Sequence, residues 1–210
     1  MNQKILAKIL SYLKPFARQN IWLEQYSTDS EIAAAALWFA HMHGDIDNKI
    51  IADLGSGTGI LGLGALALNA KKAYLVEKDN DALRIARNNK KVIESILKKD
   101  VKAEFDSSDV SDFNKKVDTV IQNPPFGVKQ EHNDRQFLSK AMDAADVVYS
   151  FHKIESKSFI AGFAAERHFT VKNIVDMGMP LKATLPHHKK KVHIVMVALW
   201  RLVKDGHNIS

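Results

Sequence analysis

The 210-residue chain has no cysteine, which excludes disulfide bonds and thiolate metal sites. It also lacks any apolar run of the ~18 residues that a membrane-spanning helix needs. Residues 1–16 mix lysines with apolar residues and have neither the uninterrupted apolar core nor the cleavage site of a signal peptide. We therefore expect a cytoplasmic protein with no membrane partner.

Neither metal ligation nor a linker between domains is indicated. The nine histidines include the pairs His41/His43 and His187/His188, which we expect to be solvated or capping residues, so no metal site is predicted. No internal repeat, low-complexity stretch or Gly/Pro/Ser-rich linker divides the chain, and its length suits one well-buried domain. We predict a single domain over 1–210, with a helical segment over 1–48 and a Rossmann-like core over 49–210.

Seven short apolar runs after residue 48 alternate with helical patterns, which is typical of an α/β fold. Such alternation favours a mostly parallel sheet with helices on both faces. The last two runs, 170–179 and 191–202, follow a helix predicted over 154–169 and lie close together in the chain. Their spacing suits an antiparallel pair, so we predict a seven-stranded sheet closed by one antiparallel strand at its C-terminal end.

Net charge is +6, and the densest cationic run includes Lys189, Lys190 and Lys191. A solvated turn is the ordinary interpretation of such a run. It becomes a candidate phosphate-binding element only if other residues indicate a nucleic-acid substrate.

Three glycines, Gly55, Gly57 and Gly59, follow a predicted strand and precede a predicted helix. Residues 57–62 satisfy the G-x-G-x-x-G pattern of dinucleotide-binding proteins, and residues 55–59 equally satisfy the G-x-G-x-G of S-adenosylmethionine-dependent methyltransferases. In both classes the bare backbone approaches the ligand, and the helix N-terminus favours its negative group. The glycines therefore predict a ligand site without naming the ligand, although a plain tight turn also fits them.

Acidic residues lie at or beyond the ends of three predicted strands. Asp53 ends the first, Glu77 follows the second and Asp109 follows the third. A carboxylate at the second position accepts hydrogen bonds from ribose hydroxyls in both cofactor classes. Asp109 is placed to hold an adenine amino group, with Val110 packed on the ring, although a capping role explains Asp109 nearly as well. Together the three carboxylates predict a crevice at the carboxyl edge of the sheet.

The sequence Asn123-Pro124-Pro125-Phe126 follows the fourth predicted strand, beside that crevice. Each proline fixes its own φ and favours an extended conformation in the residue before it, so the Asn123 amide oxygen and the Pro124 carbonyl are able to face one point. Two fixed acceptors suit an amino group, and Phe126 offers a face on which an aromatic ring stacks. A proline-stiffened loop would explain the prolines but not the amide or the aromatic ring.

Five motifs match one family in order. They are "LEQYST" (23–28), "ADLGSGTGIL" (52–61), "DTVIQNPPFGVK" (118–129), "VYSFHK" (148–153) and "HHKKKVHIVMVALWR" (187–201). With these motifs, the chain resembles the adenine-N6 methyltransferases that modify small-subunit ribosomal RNA in archaea and eukaryotes. The resemblance implies a Rossmann-like class I methyltransferase fold, S-adenosylmethionine as cofactor and ribosomal RNA as substrate.

The resemblance also implies roles for individual residues. Asn123, Pro124, Pro125 and Phe126 would hold the target base, and Phe151, His152 and Lys153 would stand near the mouth of the pocket and help with the extruded nucleotide. The last three also read as the end of a core strand. Lys189 to Lys191 would hold phosphates. The expected cofactor-binding residues are Gln25, Thr28, Asp53, Gly55, Gly57, Thr58, Gly59, Ile60, Glu77, Asp109 and Val110.

The resemblance further implies a partner, a small zinc-binding activator protein that adds to the sheet at the third strand, here "VKAEF" (101–105). Three other functions stay open on the residues alone. They are methylation of guanine N2 or of a protein glutamine amide, a non-catalytic RNA-binding subunit, and a nicotinamide-dependent oxidoreductase. The last lacks a tyrosine–lysine or histidine pair placed for hydride chemistry.

Overall fold

A computed structural model describes residues 1–16, 28–125, 133–182 and 192–207 of the chain. These residues form one seven-stranded sheet in the order β3-β2-β1-β4-β5-β7-β6. Within the described sheet, only β7 runs against the other strands, which confirms the predicted topology. The strands are β1 (Ile50–Leu54), β2 (Lys72–Val76), β3 (Ala103–Asp106), β4 (Thr119–Gln122), β5 (Val147–Lys153), β6 (Phe169–Lys182) and β7 (Val192–Lys204).

Six α-helices connect or flank the described strands. They are α1 (Gln3–Leu10), α2 (Ser30–Met42), α3 (Ile60–Ala67), α4 (Asn80–Leu97), α5 (Asn133–Ala144) and α6 (Lys157–Glu166), with short 3-10 helices at Val110–Asp112 and Ile154–Ser156. Side-chain caps fix three of the starts, and at α1 the Asn2 Oδ1 accepts from Ile5 N at 3.0 Å. The carboxylate of Asp29 accepts from Glu31 N at the start of α2, and that of Asp79 accepts from Asp81 N and Ala82 N at the start of α4. None of the helices within the described ranges has both the length and the apolar character needed to cross a membrane.

Helices cover both faces of the sheet, as the sequence predicts. Helices α1 to α4 pack on one face, where side chains such as Ile51, Leu75 and Tyr149 point. Helices α5 and α6 pack on the other, against Leu54 and Val148 among others. Strands β1 and β4 are buried on both faces, which explains why their sequences are mostly apolar and do not alternate with exposed polar residues.

The helix predicted over 154–169 is shorter in the structure. It begins as a 3-10 turn and continues as α6 only to Glu166, because His168 adopts a left-handed φ of 59° that ends the helix. Phe169, expected in the helix, begins β6 and is 4% exposed in the core under α6. Residues 170–179 form the predicted antiparallel pair with residues 192–202, which are the described part of the last run, as parts of β6 and β7.

A buried polar cluster connects the residues between α2 and β1 to strands β4, β5 and β7. Arg201 on β7 donates from Nε to Asp45 Oδ2 (2.9 Å) and to the Tyr149 hydroxyl (2.8 Å). That hydroxyl in turn donates to Asp45 Oδ2 at 2.5 Å, and burial raises the pKa of Tyr149 far above its usual range, so the hydroxyl keeps its proton. The backbone carbonyl of Asp45 also accepts from Thr119 Oγ1. The cluster fixes the residues after α2 onto β4, β5 and β7.

Candidate active site

The predicted site residues that the structure describes lie at or near the carboxyl edge of the sheet. Because β1, β2 and β4 are parallel neighbours, their carboxyl ends lie side by side, and the segments that follow them carry Gly55, Glu77 and Asn123. This is the edge at which open α/β sheets bind ligands. Gln25, Phe126 and Lys189 to Lys191 lie outside the described residues.

The glycine loop is held by backbone and side-chain bonds from β2. Gly55 N and Ser56 N both donate to Val76 O (2.9 Å each), and Gly57 N donates to Glu77 Oε2 at 2.9 Å. Gly55 and Gly57 have φ values of +70° and +52°, a conformation that side-chain-bearing residues rarely adopt. The loop is therefore rigidly set against the residue that was predicted to hold a ribose.

Two phenylalanine rings lie against the glycines of this loop. A Cβ built on Gly55 would lie 2.9 Å from Phe137 Cε1, and one built on Gly57 would lie 2.7 Å from Phe16 Cζ. Sequence reasoning missed both rings, because Phe16 comes from the segment after α1 and Phe137 from α5. In this chain the glycines thus allow close approach of two aromatic rings as well as an unusual φ.

Two buried carboxylates lie under the loop. Asp53 is 1% exposed, and its Oδ2 accepts from Gly62 N at 2.7 Å. Burial raises the pKa of Asp53 to about 7, against the opposing effect of the Gly62 hydrogen bond, and the negative charge of Glu77 adds to the increase. Burial likewise raises the pKa of Glu77, whose Oε1 accepts from Asp79 N. A cationic ligand beside these carboxylates would stabilise their ionised forms.

Asn123 lies at the end of β4 with its amide oriented by the N-terminal part of the chain. Its Nδ2 donates to Thr28 Oγ1 at 2.9 Å, so Oδ1 is the atom left to accept. Oδ1 is buried, and no described residue provides a donor to it. A buried amide oxygen without a partner is costly, so it indicates a donor that arrives with a ligand. Pro124 is buried and Pro125 half-buried beside it.

A second polar residue, not identified from the sequence, fastens the N-terminal segment to the glycine loop. Asn89 on α4 is 1% exposed, and its Oδ1 accepts from Lys14 N at 2.8 Å. Its Nδ2 donates to Lys14 O (3.0 Å) and to Thr58 O (2.9 Å). A signal was present, because Asn89 falls in the buried stripe of α4 formed by Ala82, Ala86 and Ile93.

The residues expected at the cofactor's adenine make contacts within the chain. Asp109 caps the 3-10 helix that begins at Val110, and accepts from Ser111 N (3.0 Å) and Ser111 Oγ (2.8 Å). These bonds lower the pKa of Asp109. Val110 is 6% exposed in the core that lies under α5 and α6. The capping role that the sequence also allowed is therefore present, and a role toward adenine stays a prediction.

The end of β5 is buried. Phe151 is fully buried in the core on the α1–α4 face, and His152 is fully buried on the other face. His152 Nε2 lies 2.7 Å from Ser150 Oγ, which accepts from Gln122 Nε2 at 3.0 Å. Lys153 is half-buried. These facts match the interpretation as a core strand end, and a role in RNA binding stays a prediction.

Comparisons with known proteins agree with this geometry. The family model described as "Methyltransferase small domain" matches residues 25–149. The chain is 37% identical to the rRNA N(6)-adenosine-methyltransferase METTL5 of Danio rerio, over 91% of this chain and 93% of that protein. A crystal structure from Pyrococcus horikoshii, whose description provisionally assigns an RNA methyltransferase, has a TM-score of 0.83 at 41% identity and covers 96% of this chain and 98% of its own. At 12% identity, magnesium protoporphyrin IX methyltransferase from Synechocystis, solved with bound SAM, shares the fold with a TM-score of 0.70, over 97% of both chains.

Proposed function

Because the chain belongs to the methyltransferase small domain family and is 37% identical to the METTL5 enzyme of Danio rerio, we propose that it methylates adenosine N6 in ribosomal RNA, using S-adenosylmethionine. The name of the Danio rerio relative supports the rRNA substrate, and the resemblance described above supports the small subunit. The observation that carries the proposal is the buried Oδ1 of Asn123, which no described residue satisfies. The exocyclic amine of adenine is a donor of the kind that this oxygen requires.

The cofactor fits the residues at the carboxyl edge. The proposed holding residues include the glycine loop, with Asp53, Glu77 and Thr28 around it. The buried carboxylates suit a ligand that carries positive charge, because such a charge would oppose the burial that raises the pKa values of Asp53 and Glu77. Bound there, S-adenosylmethionine supplies an electrophilic methyl group. We assign Gly55, Gly57, Thr58, Gly59 and Ile60 to its loop, with Asp109 and Val110 toward its adenine and Gln25 toward its methionine end.

The chain's own contribution is to hold the amine. Adenine N6 is a weak nucleophile because its lone pair is delocalised into the ring. With Asn123 Oδ1 and the Pro124 carbonyl accepting its two hydrogens, N6 is held in the geometry in which the lone pair localises. Fixed acceptors of this kind stabilise the transition state more than the ground state. Thr28 keeps the Asn123 amide in the orientation that this role needs.

The test is methyl transfer by an Asn123→Ala variant. We expect kcat/KM for ribosomal RNA to fall by about 100-fold or more, the typical effect of removing one positioned polar group from an active site. Affinity for S-adenosylmethionine should be retained, which shows that the variant is folded. Thr28→Val leaves Oδ1 in place but loses the orienting hydroxyl, so at saturating S-adenosylmethionine we expect an intermediate loss. Undiminished transfer by Asn123→Ala would refute the proposal.

The product distinguishes the proposed reaction from its relatives. Small ribosomal subunits are incubated with labelled cofactor, and the RNA is digested to nucleosides for mass spectrometry. N6-methyladenosine is the expected product. N2-methylguanosine, or label in a protein glutamine, would assign the same site to a different amine.

We also propose that a small zinc-binding protein adds to the edge of β3, in the cytoplasm. Support comes from the sheet order, in which β3 lies at one edge and pairs only with β2 among the described strands. All four residues of β3 are half-buried, so a partner strand has surface left to cover. If the chain purified alone methylates RNA as fast as it does in cell extract, no such activator is needed.

A further inference from the structure

Helix α6 presents an exposed aromatic ring at the edge of the sheet where Asn123 lies. Because β5 is parallel to β4, its end at Lys153 lies at the same edge, and α6 begins four residues later. Phe159, in the first turn of α6, is 41% exposed. Its ring stacks on that of Phe163, with centroids 5.9 Å apart and planes 12° apart. The Phe159 ring therefore packs on the Phe163 ring and is partly open to solvent.

Cationic residues occur at the beginnings of α5 and α6, beside the stacked pair of rings. Arg135, in the first turn of α5, is exposed and holds its Cζ 5.1 Å from the centre of the Phe163 ring. Lys157 is exposed at the start of α6, and Lys153 is half-buried at the end of β5. Glu155 is the single acidic residue between 153 and 160. The surface thus combines a supported aromatic ring with an excess of positive charge, the pairing that single-stranded nucleic acid requires.

A glycine beside the ring has no explanation within the described chain. Gly162 lies inside α6, where glycine is unfavourable compared with alanine. A Cβ built on it would meet nothing within 4 Å, and its φ is not in the left-handed region. No described neighbour explains why residue 162 has no side chain. The open space next to Phe159 therefore suits a ligand that approaches the helix backbone closely.

We propose that Phe159 stacks a base of the RNA strand next to the target adenosine, with Arg135 and Lys157 near its phosphates. The inference rests on the proposed function, because an adenosine drawn out of its helix leaves unpaired neighbours at the same edge. Stacking tolerates any base, since every base has a π face. The proposed surface therefore positions the strand without reading its sequence. This surface consists of Phe159, Gly162, Arg135 and Lys157.

Replacing Phe159 tests the stacking. For a short rRNA fragment containing the unpaired target, Phe159→Ala should raise the Kd about fivefold or more, whereas Phe159→Trp should restore binding. Affinity for S-adenosylmethionine should stay as in the wild type, and the thermal midpoint should fall only slightly, because the higher helix propensity of alanine partly offsets the packing lost on Phe163. Ile96→Ala on α4 is the matched control, because Ile96 is a similarly exposed apolar residue (38%) and α4 packs on the opposite face of the sheet from α6. Equal RNA affinity for Phe159→Ala and Ile96→Ala would overturn the inference.

Replacing Gly162 tests the close approach with a variant that cannot fail by unfolding. Gly162→Ala should raise the thermal midpoint, because alanine favours the helix and nothing obstructs its methyl group. Gly162→Gln should fold as well as the wild type but weaken RNA binding by filling the open space. Unchanged RNA affinity in Gly162→Gln would count against a ligand at this position.

The same experiments separate this inference from the proposed function. If the wild type forms N6-methyladenosine and Phe159→Ala binds RNA normally, only the inference fails. If the wild type methylates no nucleoside even in cell extract while Phe159→Ala loses RNA affinity, the proposed function fails and the surface stands. If Phe159→Ala binds naked RNA normally but loses affinity for intact ribosomal subunits, the surface docks a protein, and the inference is wrong.

Discussion

Replacing Asn89 with aspartate tests whether one side chain fastens the N-terminal segment to the glycine loop. The amide makes three hydrogen bonds, one from Lys14 N and two to the carbonyls of Lys14 and Thr58. Aspartate is nearly isosteric and keeps the acceptor, but it loses both donors. The two carbonyls would then face a carboxylate at a position that is 1% exposed.

The size of the effect follows from these contacts. A typical internal hydrogen bond contributes about 1 kcal/mol net, so two lost bonds amount to about 2 kcal/mol. Burial of a carboxylate among carbonyl oxygens adds to this loss. We expect Asn89→Asp to lower the free energy of unfolding by about 2 to 4 kcal/mol. Affinity for S-adenosylmethionine should fall as well, because the Thr58 backbone belongs to the loop and Phe16, two residues after Lys14, lies against Gly57.

Urea denaturation and calorimetric titration with the cofactor measure the two effects. The chain offers a matched control in Asn88→Asp, since Asn88 is the neighbouring residue on α4 and is exposed. Introducing the same charge there should change stability by about 0.5 kcal/mol or less. If both variants unfold at the same urea concentration and bind the cofactor equally, Asn89 does not hold the segment in place.

Two further outcomes are expected. The pKa of Asp53 is raised to about 7 in the folded chain, so between about pH 4 and 7 the folded state keeps a proton that the unfolded state has lost. The free energy of unfolding should therefore decline as pH rises through this range, by about 4 kcal/mol at most. Urea denaturation at several pH values should show a weaker decline for Asp53→Asn, and an unchanged slope would contradict the assignment. Gly57→Ala should lower the thermal midpoint more than Gly206→Ala, because both glycines have positive φ but only the former faces a ring, that of Phe16 at 2.7 Å. If the two variants lowered the thermal midpoint equally, the Phe16 ring would move aside without any loss of stability.

The strands of the sheet could be predicted because each is marked by residues that are close together in the sequence. The runs that became β1 and β4 are mostly apolar, and each is followed by residues that break a strand, Gly55 in one case and Pro124 in the other. The edge position of β3 and the antiparallel direction of β7 followed from the family fold and from the short connection between the last two runs.

Residues whose partners lie far along the chain were not predictable in this way. Asn89 bonds to residues 75 and 31 positions away, and helical periodicity reports only that it lies on the buried side of α4. The rings on the glycine loop come from two separate segments for the same reason. The end of α6 was misplaced because an apolar residue such as Phe169 continues a helical pattern as readily as it begins a strand.

The buried Arg201 has a consequence for how the last strand is aligned. Residues 194–200 of β7 are uniformly apolar, so side-chain hydrophobicity alone does not distinguish one alignment with β5 from the next. A slip by one residue would turn the guanidinium to the face where Trp200 and Leu202 pack, far from Asp45. Leaving a buried charge without its counterion costs about 3 to 5 kcal/mol, so the ion pair penalises every misaligned pairing even where it adds little to the correct one. Arg201 therefore restricts β7 to one register with β5.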